Sequence, residues 1–284
     1  MTQSSYNIKD VYSVFNEIDD AVGAQNGGNV EYIKPPIIEY CPYNTTMYSN
    51  YCNNYFQKAS YGVIHFLKTL KDKFDSKYDK LAEYAILLLS YKLNQNSEYS
   101  SKKLIDLYTK HIGKDKHYND KINNSNSMTY KDIMDKKKDL MNMNIKEKSK
   151  FNGLFSILFS FYNEIKKTKL DCPKDSNKAI EFAKKFEELN NDSNINGNTS
   201  YRTLLSTLSD DYNNLKNKCT DFPPLPMIKT PPSKLLPALS TFSVIPVFLG
   251  IAYKYSLFGI DKVFQRQYIR KKLKKLQKKM KINI

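Results

Sequence analysis

The sequence predicts an all-α protein in which a helical domain with loop insertions, residues 1–219, precedes a stalk and one membrane-spanning helix. Three observations support this prediction. Apolar residues recur every three or four positions through most of the first domain, which is the spacing of one helix face. No stretch alternates between apolar and polar residues strongly enough to indicate a sheet. One run of nineteen residues, Leu235 to Tyr253, carries no charge.

The periodicity places helices along the whole domain. The first lies near the amino terminus, where one face collects Ile8, Val11, Tyr12, Phe15 and Ile18. A second is predicted at 55–74. A third, at 80–93, is apolar nearly all round, which is typical of a central core helix. Further helices are predicted, with Asn- and Ser-rich loops between them, at 102–111, 130–143, 147–167, 171–189 and 199–217.

All four cysteines precede the apolar run: Cys41, Cys52, Cys172 and Cys219. Four cysteines allow three pairings, and we favour Cys41 with Cys52 and Cys172 with Cys219 because each pair brackets a local unit. Two disulfides are expected if this side of the membrane is oxidising, and four reduced thiols are the alternative. The chain has no CxxC pair, and its histidines lie far from most of the cysteines, so we expect no zinc site.

After Cys219 the composition changes. Residues 220–234 contain five of the eleven prolines. Proline pairs favour the extended polyproline II conformation and exclude helix, so this segment is predicted to be a semi-rigid stalk that lifts the domain from the bilayer. A proline-rich ligand for an SH3-type module is the alternative.

The apolar run that follows has the length of a membrane span. At about 1.5 Å per residue, nineteen helical residues measure about 28 Å, close to the ~30 Å hydrocarbon core of a bilayer. Lys254 lies near the end, where a long side chain can reach the interface, so the predicted transmembrane helix covers 235–260. A buried core helix is the alternative, but such a helix normally has a polar face, and this run has none.

Residues 261–284 form a basic tail with ten Lys or Arg and one Asp, a net charge of +9 in a chain of net +16. Ile269, Leu273, Leu276 and Met280 share one helix face, which predicts an amphipathic helix lying on a membrane surface. Its predicted membrane contacts are Lys262, Arg266, Arg270, Lys271, Lys272, Lys274, Lys275, Lys278 and Lys279. A nucleic-acid or nuclear-localisation patch is the alternative, and the adjacent span argues against it.

Charge placement also predicts the topology. Basic residues next to a span tend to remain cytoplasmic and attract anionic lipid, so the expected partner of the tail is a bilayer with an anionic inner leaflet. The first residues lack the basic start and apolar core of a signal peptide. Membrane entry is therefore expected to depend on the internal span, with the amino-terminal domain crossing the membrane.

The charge balance and the lack of known catalytic motifs argue against nucleic-acid binding and against enzyme activity. The first 234 residues carry 34 basic and 28 acidic side chains, an ordinary balance for a soluble surface, so we expect no nucleic-acid ligand. Walker, dinucleotide-binding, zinc-protease, serine-hydrolase and EF-hand motifs are missing from the sequence. We expect a protein that is not an enzyme and that uses no cofactor, metal or small-molecule substrate.

Five segments carry a family resemblance, in order along the chain. Four are LLLSYKLN at 87–94, YKDIMDKKKDLMNMNI at 130–145, FEELNNDSN at 186–194 and YRTLLSTLSDDYNNLKNKC at 201–219. The most specific is LGIAYKYSLFGIDKVFQRQYIRKKLKKLQKKM at 249–280. These segments resemble the PIR (Plasmodium interspersed repeat) proteins of malaria parasites, called Cir, Yir or Bir in rodent species. One departure is that the family usually has a cysteine within its first few residues, whereas Met1 to Tyr40 has none.

The resemblance implies a multigene variant antigen with a helical, cysteine-containing domain, one span near its end, and export to the infected red cell. We expect a single-pass membrane protein, at the infected red-cell surface or on exported parasite-derived membranes, that displays a helical domain for adhesion or immune evasion. The expected partner is a host-cell receptor or an antibody. The alternative is a non-catalytic trafficking or remodelling protein on internal parasite-derived membranes. A soluble enzyme is the third possibility and would require the apolar run to be core.

Overall fold

Helices make up most of the chain, as predicted. The computed structural model describes residues 6–25, 30–75, 77–122, 128–167, 170–230 and 266–275, which belong to two units that meet between Thr230 and Pro231. The described α-helices of the first unit are α1 (Ile8–Ala21), α2 (Tyr55–Leu70), α3 (Tyr78–Asn94), α4 (Ser97–Ser100), α5 (Leu104–His111), α6 (Lys116–Asn119), α7 (Tyr130–Asp135), α8 (Ile145–Lys167), α9 (Cys172–Asn190), α10 (Ser193–Gly197) and α11 (Thr199–Lys216). Short 3₁₀ segments occur at Ile37–Tyr40, Lys71–Phe74, Ile112–Lys114 and Lys138–Asn142.

Two small antiparallel sheets interrupt the helices, which corrects the expectation of a protein without sheets. β1 (Val22–Gln25) pairs with β2 (Val30–Ile33). β3 (Tyr43–Asn44) pairs with β4 (Ser49–Asn50). A period-two pattern needs at least about four positions to be recognised, and β3 and β4 have two residues each. β1 and β2 have four each, but buried and exposed residues do not alternate along them.

Local sequence signals set the helix ends. The side chain of Asn54 accepts a hydrogen bond from the backbone N–H of Gln57 and caps the start of α2. At α7, Thr129 and Asp132 cap each other reciprocally. The helix predicted at 130–143 is divided into α7 and the 3₁₀ segment at 138–142.

The predicted apolar face of α1 lies in the centre of the first unit. Val11, Phe15 and Ile18 are fully buried. The ring of Phe15 stacks on Phe66 of α2 at a centroid distance of 4.9 Å and meets Phe155 of α8 edge-on at 5.3 Å. Full burial of one such side chain stabilises the fold by about 1.5–3 kcal/mol. The prediction that the third helix is central is also confirmed, because α3 is buried along most of its length.

The first part of the predicted stalk packs on the helical domain. Phe222 is 1% exposed, and its ring lies 5.6 Å from that of Phe161 in α8 and 6.2 Å from that of Tyr212 in α11. The hydroxyl of Tyr212 donates to the carbonyl of Pro223 at 2.9 Å. The start of the predicted stalk is therefore bound to the helical domain.

A second attachment lies further along. The side-chain amide of Asn190 donates to the carbonyl of Met227 at 2.8 Å and accepts from the N–H of Lys229 at 2.8 Å. These bonds and Phe222 hold residues 220–230 against the helices, so the first unit extends to Thr230. The sequence, by contrast, predicts that the helical domain ends at residue 219. We call residues 220–230 the strap.

The remaining stalk residues, 231–234, and the predicted span, 235–260, lie outside the described residues. Among the residues that the structure does describe, no helix is long and apolar enough to cross a membrane.

Two disulfides close the first unit at different points. Cys41 is bonded to Cys52 with a Cα–Cα distance of 5.0 Å, and Cys172 to Cys219 with a distance of 5.4 Å. These are the pairs that the sequence favours. The first closes the β3–β4 loop. The second joins the start of α9 to the residue between α11 and the strap.

Removing the Cys172–Cys219 bond is expected to destabilise the domain more than removing the Cys41–Cys52 bond. The bonds span 47 and 11 residues respectively, and loop-closure entropy predicts losses of about 4 and about 3 kcal/mol in the free energy of unfolding. Urea denaturation of residues 1–230 carrying Cys172→Ala/Cys219→Ala or Cys41→Ala/Cys52→Ala measures both losses. A larger loss from the shorter loop would contradict the prediction.

Candidate interaction surfaces

A carboxylate with a strongly raised pKa lies sealed in the core. Asp211 of α11 is 2% exposed. Its Oδ2 accepts a hydrogen bond from the Tyr12 hydroxyl at 2.9 Å, and its Oδ1 accepts one from the Tyr84 hydroxyl at 2.7 Å. Burial raises the pKa of Asp211 to about 7, although both tyrosines and Lys80 favour the ionised form. The Tyr162 hydroxyl donates to the backbone carbonyl of the same residue at 2.9 Å.

A second buried carboxylate lies one position before Tyr84 on α3. Glu83 is 1% exposed. Its Oε1 lies 2.8 Å from the Lys137 ammonium, and its Oε2 accepts from the Thr207 hydroxyl at 2.6 Å. A perturbed carboxyl group in an open cleft would mark a candidate catalytic site. Here both groups are buried and bonded to side chains of neighbouring elements, so they hold helices together and cannot meet a substrate.

The structure places no metal centre beside these groups. Within the described ranges, no cluster of three His, Cys, Asp or Glu side chains could hold a metal ion. Two surfaces and one cleft of the described chain have a chemistry distinct from their surroundings.

The first surface is the loop between Cys41 and Cys52, which we call the tyrosine hairpin. Both cysteines are buried, whereas the loop between them is largely exposed. Its large side chains point outward: Tyr43 is 62% exposed, Met47 56% and Tyr48 83%. Isolated exposed apolar residues are ordinary, but several in one loop of ten residues are typical of a contact surface.

Hydrogen bonds donated by backbone N–H groups give this hairpin a defined shape. The Asn44 side chain accepts from the N–H groups of Thr46 and Met47 at 2.9 and 3.0 Å, which forms the turn. The N–H of Tyr51 donates to the Pro42 carbonyl at 2.9 Å. The exposed rings are thus held on a closed loop, although they make no core of their own.

A cleft of about 360 Å³, which we call the lysine cleft, begins one residue after the hairpin. Its walls are formed by Asn53, Asn54, Phe56, Gln57, Ser60, Lys110, His111, Ile112, Lys114 and Asp115. Lys110 and Lys114 are exposed. Burial and the nearby lysines, Lys110 and Lys102, lower the pKa of His111, so the imidazole is neutral at pH 7. The Asp115 carboxylate accepts from the N–H of His117 at 2.8 Å and caps α6.

The second surface is the basic tail, which belongs to the other unit. Residues 266–275 are helical, and all ten are exposed. Ile269 and Leu273, one turn apart on the predicted apolar face, are each 54% exposed. The predicted membrane contacts on this helix are Arg266, Arg270, Lys271, Lys272, Lys274 and Lys275. The others, Lys262, Lys278 and Lys279, lie outside the described residues.

Sequence reasoning identified the tail but missed the hairpin and the cleft. A signal for the hairpin was present, because the eighteen residues from Tyr40 to Gln57 carry no charge in a chain that is 26% charged. Only the predicted span is a longer uncharged run. The cleft had no signal, because Asn53 and Lys114 lie about sixty residues apart and are brought together only by the packing of α2 and α5.

Comparisons with known proteins agree with this architecture. The sequence model of the family described as "Plasmodium variant antigen protein Cir/Yir/Bir" matches residues 9–254. A solved structure described as "Structure of a Plasmodium PIR protein ectodomain" is 31% identical, with a TM-score of 0.57, over 79% of this chain and 100% of that chain. No curated protein sequence matches. The family match begins inside α1, so it includes most of the residues from Met1 to Tyr40, which lack the early cysteine that the family usually has.

The pKa of Asp211 predicts a specific dependence of stability on pH. A carboxyl whose pKa rises from an ordinary 3.8 to about 7 on folding stabilises the fold fully below about pH 4 and loses that contribution as the pH rises through 7. Relative to Asp211→Asn, the wild-type domain should therefore lose up to about 4 kcal/mol of unfolding free energy between about pH 4 and pH 8.

Urea denaturation of both proteins across this pH range measures the difference. Asp106→Asn on the exposed face of α5 is the control, since that carboxyl is in contact with solvent. Parallel stability curves for the wild type and Asp211→Asn would contradict the assignment.

Proposed function

The chain belongs to the Plasmodium variant antigen family Cir/Yir/Bir, and we propose that it is an exported single-pass membrane protein that displays its helical domain for host–parasite interaction. The observation that carries the proposal is the similarity to a solved PIR ectodomain over 79% of the chain. An ectodomain is by definition the part of a membrane protein that faces outward. Adhesion or immune evasion is the role that fits such a display.

Two properties of the described residues support this orientation. All four cysteines of the first unit are in disulfides, which persist in oxidising compartments and are rare in the cytosol. The tail helix is strongly basic, which favours the cytoplasmic side of a membrane. The disulfide-bonded domain and the basic tail therefore favour opposite sides of a bilayer.

The distribution of burial supports display without catalysis. Asp211 and Glu83 are buried away from solvent. Their carboxylates are bonded to tyrosine, threonine and lysine side chains in the core. The exposed apolar side chains Tyr43, Met47 and Tyr48 lie in a loop, where changes of sequence disturb the packed helix faces least. A surface of this kind can vary while its scaffold stays the same.

We expect the tail to bind anionic lipid. Each basic residue close to such a surface contributes about 1 kcal/mol, so the variant Lys271→Gln/Lys274→Gln/Lys275→Gln should bind about 100-fold more weakly. Co-sedimentation of a 261–284 peptide with phosphatidylserine-containing vesicles measures the affinity, and added salt should lower it. Gln267→Ala is the uncharged control. Equal binding to pure phosphatidylcholine vesicles would show that charge is not the cause.

Protease treatment of intact infected red cells tests the display itself. With antibodies against residues 171–200 and against the tail, we expect loss of the domain signal together with a protected tail fragment. Permeabilised cells, in which both regions should be digested, are the control. Protection of both regions in intact cells would argue against surface display, and would favour a trafficking or remodelling role on internal parasite-derived membranes.

A further inference from the structure

The tyrosine hairpin has the composition of the centre of a protein–protein interface. Interface centres are depleted of charged residues and enriched in Tyr and Met. The loop between Cys41 and Cys52 has no charge and exposes Tyr43, Met47 and Tyr48. Tyrosine rings bury a large area and have few rotamers, so they lose little entropy on binding. The disulfide and the Asn44 turn have already ordered the backbone that carries them.

The lysine cleft gives the adjoining surface a positive charge. Lys110 and Lys114 are exposed, and no salt bridge to either is found among the described residues. The cleft's only acid, Asp115, accepts a backbone N–H at the start of α6, and His111 is neutral at pH 7. A partner seated on the hairpin would therefore place its edge against two unpaired ammonium groups.

We propose that the tyrosine hairpin and the lysine cleft form one docking surface for a host-cell protein with an apolar centre and acidic residues at its edge. This inference rests on the proposed display function and names the part of the domain that makes the contact. Charge complementarity selects the partner, because acidic side chains would pair with Lys110 and Lys114. A second copy of this chain fits poorly, since a symmetric contact would place two positively charged lysine clefts in one interface.

The first unit is suitable for testing in isolation, because it has its own core and disulfides and the solved relative is itself an ectodomain. Purified residues 1–230 are added to host red cells, and bound protein is measured by flow cytometry. We expect saturable binding that is lost when the cells are first treated with trypsin, and that weakens as the salt concentration rises.

Variants on the surface should lower this binding. Met47→Ser and Tyr48→Asn are each expected to weaken it about tenfold, as truncation of a central anchor does. Asn is chosen at position 48 because Tyr48 has φ 51°, a left-handed conformation that Asn tolerates. Lys110→Glu/Lys114→Glu should weaken binding and reduce its dependence on salt.

Matched controls lie on α9, away from the surface in sequence. Ile180→Ser removes an apolar side chain that is 57% exposed, and Lys174→Glu/Lys184→Glu reverses two exposed charges. Both should bind within about twofold of the wild type. Unchanged melting temperatures establish that every variant is folded.

Several results would overturn the proposal. The proposal fails if the wild-type domain does not bind, if the hairpin variants bind with wild-type affinity, or if the α9 controls lose as much affinity as the hairpin variants. Binding that persists on trypsin-treated cells, or that is also found with phosphatidylcholine vesicles, would equally contradict a protein partner. Failure of the display proposal is distinct from all of these. It would appear as protection in intact infected cells, while the purified domain could still bind in this hairpin-dependent way.

Discussion

The fold of the first unit depends on one buried carboxylate that joins helices from opposite ends of the domain sequence. Asp211 accepts hydrogen bonds from Tyr12, 199 residues earlier in the chain, and from Tyr84, 127 residues earlier. Its backbone carbonyl accepts a third from Tyr162. An acceptor left without partners in the core would destabilise the fold by about 1–3 kcal/mol or more, so burial of α11 is stable only when α1, α3 and α8 supply these donors. This requirement selects one arrangement of helices from the many that apolar packing alone would allow.

The burial of α11 in turn determines where the chain leaves the domain. Cys219 follows the end of α11 and is bonded to Cys172 at the start of α9. Phe222 then packs on Tyr212 of α11, and Asn190 at the end of α9 binds the backbone of the strap. Each attachment uses a surface that exists only when α9 and α11 are docked. The strap is thus fixed to α9 and to α11, the helix that carries the buried carboxylate, and its attachments are made by Phe222 and by backbone groups.

These dependencies explain what the sequence could and could not predict. The apolar face of α1 and the central position of α3 followed from periodicity, because burial of a helix face leaves a local pattern in the chain. The role of Asp211 left no such pattern, since the two tyrosines that donate to its carboxylate are more than one hundred residues away. The prolines predicted a stalk, but Phe222, an aromatic residue among them, was the signal that its first part is docked on the domain. The hairpin strands were missed because each has only two residues.

The tyrosine hairpin shows why a displayed surface needs a different means of support from the core. Side chains such as Tyr48, which is 83% exposed, add almost nothing to the hydrophobic free energy of folding. A loop built from them cannot hold its own shape by burial, and ordering each residue opposes folding by about 1–2 kcal/mol. Here a disulfide between two buried cysteines closes the loop. Hydrogen bonds that the Asn44 side chain accepts and that the Tyr51 N–H donates order its backbone. Because this support is covalent and local, the exposed side chains can change while the helices beneath them keep the same packing.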